Sequence, residues 1–124
     1  MLAGIGIDIV EVARMAKAID SEHFKKRVFT EREIEYCLGR GKQAAQSFAA
    51  RFAAKEAVMK AFGTGLRGGT LQELEVFNDE LGCPQVTLMG YWAALADQKN
   101  ITKVWLSLTH TREYAAAQCV LEAE

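Results

Sequence analysis

From Gln43 to Phe62 the chain runs without proline or glycine and is rich in alanine, the residue with the highest intrinsic helix preference. Such a stretch folds as a long helix, and the rest of the chain must pack around it. On a wheel of about 100° per residue, Phe48, Phe52, Met59 and Phe62 form one apolar stripe. Lys55 falls inside that stripe, and Arg51 and Glu56 border it. A lysine on a buried face breaks the binary pattern, and such breaks gather at functional sites. Lys55 can contact a ligand, form a buried ion pair, or keep its head in water with its stem on the apolar surface. Glu56 and Lys60 stand at i and i+4, a pair that strengthens a helix by roughly a few tenths of a kcal/mol.

The flanks alternate between strand and helix signals. Met1 to Val10 is apolar and isoleucine-rich, which predicts a buried strand ending near Asp8. It runs into a helix on which Val12, Met15, Ala16 and Ile19 recur at helical spacing. Thr30 with Glu33 forms a capping box that starts a helix through Leu38, ended by Gly39 and Gly41. Gly63, Gly65, Gly68 and Gly69 make a loop after the long helix. Leu71 to Phe77 and Gln85 to Met89 predict strands, Tyr91 to Gln98 a short helix, and Lys103 to His110 with Tyr114 to Leu121 a closing hairpin. The expected class is α+β, an antiparallel sheet packed against a long helix. With 124 residues, 50% hydrophobic and 25% charged, one domain over 1–124 is expected.

Fifteen basic residues face sixteen acidic ones, so the chain lacks the overall basicity of a generic nucleic-acid binder. Cys37, Cys83 and Cys119 are widely spaced, which fits reduced thiols rather than a disulfide framework or a zinc site. Asp8 interrupts the place where a signal peptide would carry its apolar region. The longest charge-free run, Leu81 to Ala96, is too short and too broken to span a bilayer. A soluble cytoplasmic protein with no membrane partner is therefore expected. Charge is nonetheless uneven: Arg40, Lys42, Arg51, Lys55, Lys60 and Arg67 surround a single acid, Glu56. That concentration predicts an anion partner or, in the plainer reading, a solvated helix face. Arg14, Lys17, Lys25, Lys26 and Arg27 outnumber Asp20 and Glu22 near the N-terminus, which fits either a solvated face or an acidic protein partner.

Asp8 is the second break in pattern, a carboxylate inside Ile5-Gly6-Ile7-Asp8-Ile9-Val10. It is either a helix cap, with Glu11 at i+3, or a metal-bound carboxylate. The familiar phosphate loops are absent. Gly4-x-Gly6 has Ile9 where a dinucleotide fingerprint needs its third glycine, and Gly41-Lys42 is followed by Gln43. Gly63-Thr64-Gly65 follows a helix, the wrong end for an anion. A phosphate near that loop would rest on Lys60, Arg51 or a metal. His110 ends a strand between two threonines, and His23 lies in a polar stretch. No Ser/His/Asp or Cys/His set stands out from spacing.

Three segments taken together resemble one family. They are Gly4-Ile5-Gly6-Ile7-Asp8-Ile9-Val10-Glu11 followed by Arg14, then Arg51-Phe52-Ala53-Ala54-Lys55-Glu56-Ala57 leading to Lys60-Ala61-Phe62-Gly63-Thr64-Gly65, and Ser107-Leu108-Thr109-His110. The Phe29-Thr30-x-x-Glu33 segment agrees as well. This pattern resembles the holo-[acyl-carrier-protein] synthases, the small bacterial 4'-phosphopantetheinyl transferases, over essentially the whole chain. The resemblance implies transfer of phosphopantetheine from coenzyme A to a serine of apo acyl carrier protein in fatty acid biosynthesis, releasing adenosine 3',5'-bisphosphate. It implies magnesium held by Asp8 and Glu56, and a homotrimer with active sites between subunits. On that reading Lys60 offsets developing charge, Arg51 and His110 hold phosphates on the adenosine side, and Gly63 and Gly65 lie beside coenzyme A. Glu56 takes the serine proton directly or through water. An acidic carrier protein would dock on Arg14, Lys17 and Arg27. The rival readings are a non-catalytic anion- or nucleic-acid-binding module using the basic helix, and a structural subunit whose carboxylates only cap helices.

Overall fold

The computed structural model describes all residues, 1–124. Strand β1 (Leu2–Glu11) leads directly into α1 (Val12–Ala18), followed by α2 (Glu22–Val28) and α3 (Glu31–Leu38). A single 3-10 turn, Gly41–Gln43, opens α4 (Ala44–Phe62). Strands β2 (Leu74–Asn78) and β3 (Pro84–Leu88), helix α5 (Gly90–Gln98), and strands β4 (Ile101–His110) and β5 (Tyr114–Ala123) complete the chain. The α+β class holds. The strands form two separate antiparallel sheets, one ordered β1-β5-β4 and the other a β2-β3 hairpin.

Helix α4 is buried on two sides rather than along one stripe. Ala49, Ala53, Ala57 and Ala61 are buried together with Phe48, Val58 and Phe62. A helix apolar around most of its girth sits at the centre of its domain. The aromatic side meets the other helices: Phe48 lies edge-on to Phe29 at 5.0 Å, and Phe62 lies 5.8 Å from Trp92. The alanine side meets β1 at Gly4 and Gly6. A Cβ on Gly6 would collide with the carbonyl oxygen of Ala57, and one on Gly4 with that of Ala61. Strand and helix therefore touch backbone to backbone, which places residues near Gly6 against the middle of α4.

Three local expectations change. Helix α2 forms where the sequence reads only as polar. Its cap is Ser21, whose hydroxyl accepts from the Phe24 amide, and Val28 buries its inner end. The first part of the expected strand at Leu71 is a 3-10 turn over Leu71–Glu73, capped by Thr70 and Glu73, so β2 starts at Leu74. The first strand continues past Asp8 to Glu11. The Thr30–Glu33 capping box and the closing hairpin form as expected.

Candidate active site

Alternation along β1 settles which way Asp8 faces. Ile5, Ile7 and Ile9 are exposed on the outer face, while buried Gly6 and half-buried Asp8 face the helix layer. Asp8 is not a helix cap. Helix α1 starts at Val12 with Glu11 at its cap position, and no side chain bonds there. Instead Asp8 Oδ1 accepts a hydrogen bond from Lys60 Nζ at 2.9 Å, and Lys60 also donates to the Ile7 carbonyl at 3.1 Å. The expected Glu56–Lys60 helix pair gives way to this longer-range ion pair. Glu56, one turn before Lys60, joins Asp8 in lining a cavity of about 490 Å³. Partial burial pushes the Glu56 carboxyl above its ordinary range, the nearby Asp8 charge adds to that, and Lys60 opposes it. The two carboxylates thus feel one another. Arg14 stands at the same cavity, whose wall includes Met15, Phe24 and Phe52.

A second cavity of about 290 Å³ collects positive charge. Arg51, Arg40 and His110 line it with Tyr36, Ser47 and Asn78. Arg51 is buried, its guanidinium stacks 4.1 Å above the Tyr36 ring, and its Nε has no hydrogen-bond partner. A buried guanidinium with a free donor, next to a second arginine and a histidine, suits a phosphate or carboxylate. The two cavities share no lining residue. Arg51 and His110 are therefore brought together, but apart from Asp8 and Glu56 within one copy of the chain.

Gly63 ends α4 in the left-handed conformation (φ 76°), as a helix cap requires of glycine. Gly65 also has positive φ, and both line a third, shallower concavity with Thr64, Arg67 and Tyr91. Lys17 and Arg27 are exposed on α1 and α2 and line neither main cavity. Lys55 neither snorkels nor reaches a ligand cavity. It is wholly buried and ion-paired with Glu33 at 2.7 Å. With Lys55 and Arg51 buried and Lys60 paired, α4 offers no continuous basic stripe for nucleic acid. Tyr36 and Asn78 escape the sequence reading because α3 and β2 bring them to Arg51, while Ser47, one turn before Arg51 on α4, carries no pattern break of its own. The run of basic residues from Arg40, and the resemblance for Arg51 and His110, pointed towards that cavity. All three cysteines are free. Burial pushes the Cys119 thiol up to about 12 and raises that of Cys37, so neither serves as a nucleophile.

Two carboxylates, a lysine and a separate cationic pocket are the polar features that the fold assembles. The family model of the 4'-phosphopantetheinyl transferase superfamily matches residues 4–119, and the chain belongs to that superfamily. Within it, the chain falls among the holo-[acyl-carrier-protein] synthases. It is 46% identical to that enzyme of Geotalea daltonii over 98% of this chain and 99% of the relative. The crystal structure of the Bacillus anthracis synthase in complex with CoA (3',5'-ADP) superposes with a TM-score of 0.83. It shares 38% identity over 100% of this chain and 99% of that one. The Helicobacter pylori synthase in complex with coenzyme A gives 0.82 and 30% identity, covering 95% and 99%. The chain is thus an enzyme of phosphopantetheinyl transfer, and the readings as a non-catalytic binding module or a structural subunit fall away.

Proposed function

We propose that this chain, acting as one domain over 1–124, moves 4'-phosphopantetheine from coenzyme A to a serine of apo acyl carrier protein, with adenosine 3',5'-bisphosphate as the other product. The observation that carries the reading is the convergence of Asp8 from β1 with Glu56 and Lys60 from α4. The serine oxygen attacks the phosphorus bearing the pantetheine arm, and the bond from that phosphorus to the bridging oxygen breaks. The electron pair leaves on the phosphate of adenosine 3',5'-bisphosphate. The serine proton passes to Glu56, directly or through one water. Lys60 offsets charge on the phosphoryl oxygens, and Arg51 with His110 holds the nucleotide phosphates.

No three His, Cys, Asp or Glu side chains assemble as a metal-ligand set. A cation here would have two protein carboxylates, Asp8 and Glu56, the latter lifted by partial burial and, after it, by the Asp8 charge. That donor set fits Mg²⁺, which keeps most of its shell for waters and substrate phosphates. Asp8 and Glu56 would hold it, and its chemistry there would be charge neutralisation on the pyrophosphate. Incubation with coenzyme A, magnesium and apo carrier protein is expected to add the phosphopantetheine mass to the carrier. An unmodified carrier overturns the reading.

The trimer of the family resemblance gains support from two features. Ile5, Ile7, Ile9 and Trp105 are exposed on the outer face of the β1-β5-β4 sheet. The anion cavity and the carboxylate cavity are separate in one copy, as halves completed by a neighbour would be. If so, co-expressed Glu56→Gln and Arg51→Ala chains, each inactive alone, regain about a quarter of wild-type activity by random assembly. No regain means both halves serve within one chain.

Arg14, at the rim of the carboxylate cavity, with Lys17 and Arg27 on α1 and α2, is the proposed docking face for the acidic carrier. Arg14→Glu should raise the KM for carrier protein about tenfold or more, with the KM for coenzyme A little changed. Equal change in both removes the assignment. No helix is long and apolar enough to cross a membrane, which is compatible with work in the cytoplasm on a soluble carrier in fatty acid biosynthesis.

A further inference from the structure

Helix α4 supplies both cavities: Arg51 to one, Glu56 and Lys60 to the other. Its rotation and its height along β1 therefore set two sites at once. Its contact with β1 is a row of alanines on glycines, tied by the half-exposed Lys60 to Asp8 and the Ile7 carbonyl. That tie is solvent-exposed, and an exposed ion pair does little to hold a helix in place.

A buried tie lies elsewhere on the helix. Lys55 Nζ has three donors and three acceptors: Glu33 Oε1 at 2.7 Å, the Val28 carbonyl at 2.9 Å and the Leu71 carbonyl at 2.9 Å. Those acceptors belong to α3, the end of α2 and the 3-10 turn before β2. Glu33 is itself bonded through both oxygens. Its Oε1 also accepts from the Thr30 amide at 2.9 Å, and its Oε2 from the Val76 amide at 2.8 Å. Both side chains are fully buried. A buried ion pair is a poor source of net stability compared with apolar packing, and its best-attested use is to specify one arrangement over its neighbours.

We propose that Lys55 and Glu33 are positioning residues for phosphopantetheinyl transfer. They pin α4 in the one rotation and height at which Glu56 faces Asp8 and Arg51 faces the anion cavity. The inference rests on the assignment of Asp8 and Glu56 as the cation site. It adds that the neighbour of Glu56 in the chain, which touches no substrate, governs that site's geometry.

The test is the double variant Lys55→Met/Glu33→Gln, which removes both buried charges and nearly preserves volume. Manganese(II) binding is read by electron paramagnetic resonance without substrates, beside circular dichroism, kcat and the KM for coenzyme A. A folded variant is expected to bind manganese at least about tenfold more weakly and to lose kcat by a similar factor. A purely structural pair would lower only the folded fraction, leaving the manganese affinity of the folded molecules unchanged. A folded variant with wild-type manganese affinity and kcat overturns the proposal. Should the double variant not fold, Lys55→Met alone, which leaves Glu33 its two backbone amide donors, decides by the same readings, with a few-fold shift expected and no shift overturning it. Wild-type protein that binds no manganese is a separate result, which removes the cation site itself and this inference with it.

Discussion

Glu56→Gln is expected to yield a folded protein that has lost phosphopantetheinyl transfer by at least about a hundredfold, in kcat rather than in the KM for carrier protein. The amide copies the size and shape of the carboxylate, so packing on α4 is kept. It removes a half-buried charge near Asp8, and with it the burial cost and the Asp8 repulsion that together lift the Glu56 carboxyl. The melting temperature of the metal-free variant should therefore equal or exceed that of wild type. Magnesium then separates the two. Ligand that binds only the folded state stabilises it, by about 2.7 kcal/mol at a hundred times its Kd. Magnesium should raise the melting temperature of wild type and leave that of Glu56→Gln unmoved. A variant that keeps full turnover, or that magnesium still stabilises as it does wild type, takes Glu56 out of the cation site.

Glu56 could be singled out from sequence because it borders an apolar stripe beside a lysine, and Asp8 because it breaks an isoleucine-rich strand. Violations of a pattern are visible in one dimension; their partners are not. Asp8 reads equally well as a helix cap, and only the close approach of β1 to α4 shows that Lys60 holds it. Glu33 reads as the third residue of a capping box, and it is one. Its carboxylate also serves Lys55, which lies 22 residues further along, and no local spacing rule covers that distance. The long helix, the capping box and the closing hairpin rest on local propensity and period, and so they were legible. Helix α2 was not, because seven residues with three consecutive basic positions carry too short an apolar period. The anion cavity was half legible. Its cations stand out in the sequence, but Tyr36 under Arg51 and His110 across from it come from different elements.

The contact that builds the site is also its most fragile point, and Gly6→Ala should show it. A methyl group on Gly6 meets the Ala57 carbonyl oxygen in direct collision, with the Ala61 amide nitrogen at 2.8 Å and the Ala57 carbonyl carbon at 3.0 Å. All three are backbone atoms of α4, so no rotamer change relieves the clash. Helix α4 has to move away from β1. Overpacking of a rigid core costs about 1–3 kcal/mol, and this case belongs at the upper end. Asp8 lies two residues from Gly6, and Glu56 directly precedes Ala57, so the same displacement separates the carboxylates. A shift of about 1 Å in such a constellation costs on the order of a hundredfold in rate. Gly39→Ala is the control: its Cβ would meet carbonyl oxygens at 3.3 and 3.4 Å, and its backbone is already right-handed (φ −67°). That change should alter stability by less than about 1 kcal/mol and leave turnover intact. Urea unfolding with per-molecule activity measured on the folded fraction compares the two. If Gly6→Ala matches Gly39→Ala in both, strand and helix are not in backbone contact, and the geometry that brings Asp8 to Glu56 has to be abandoned.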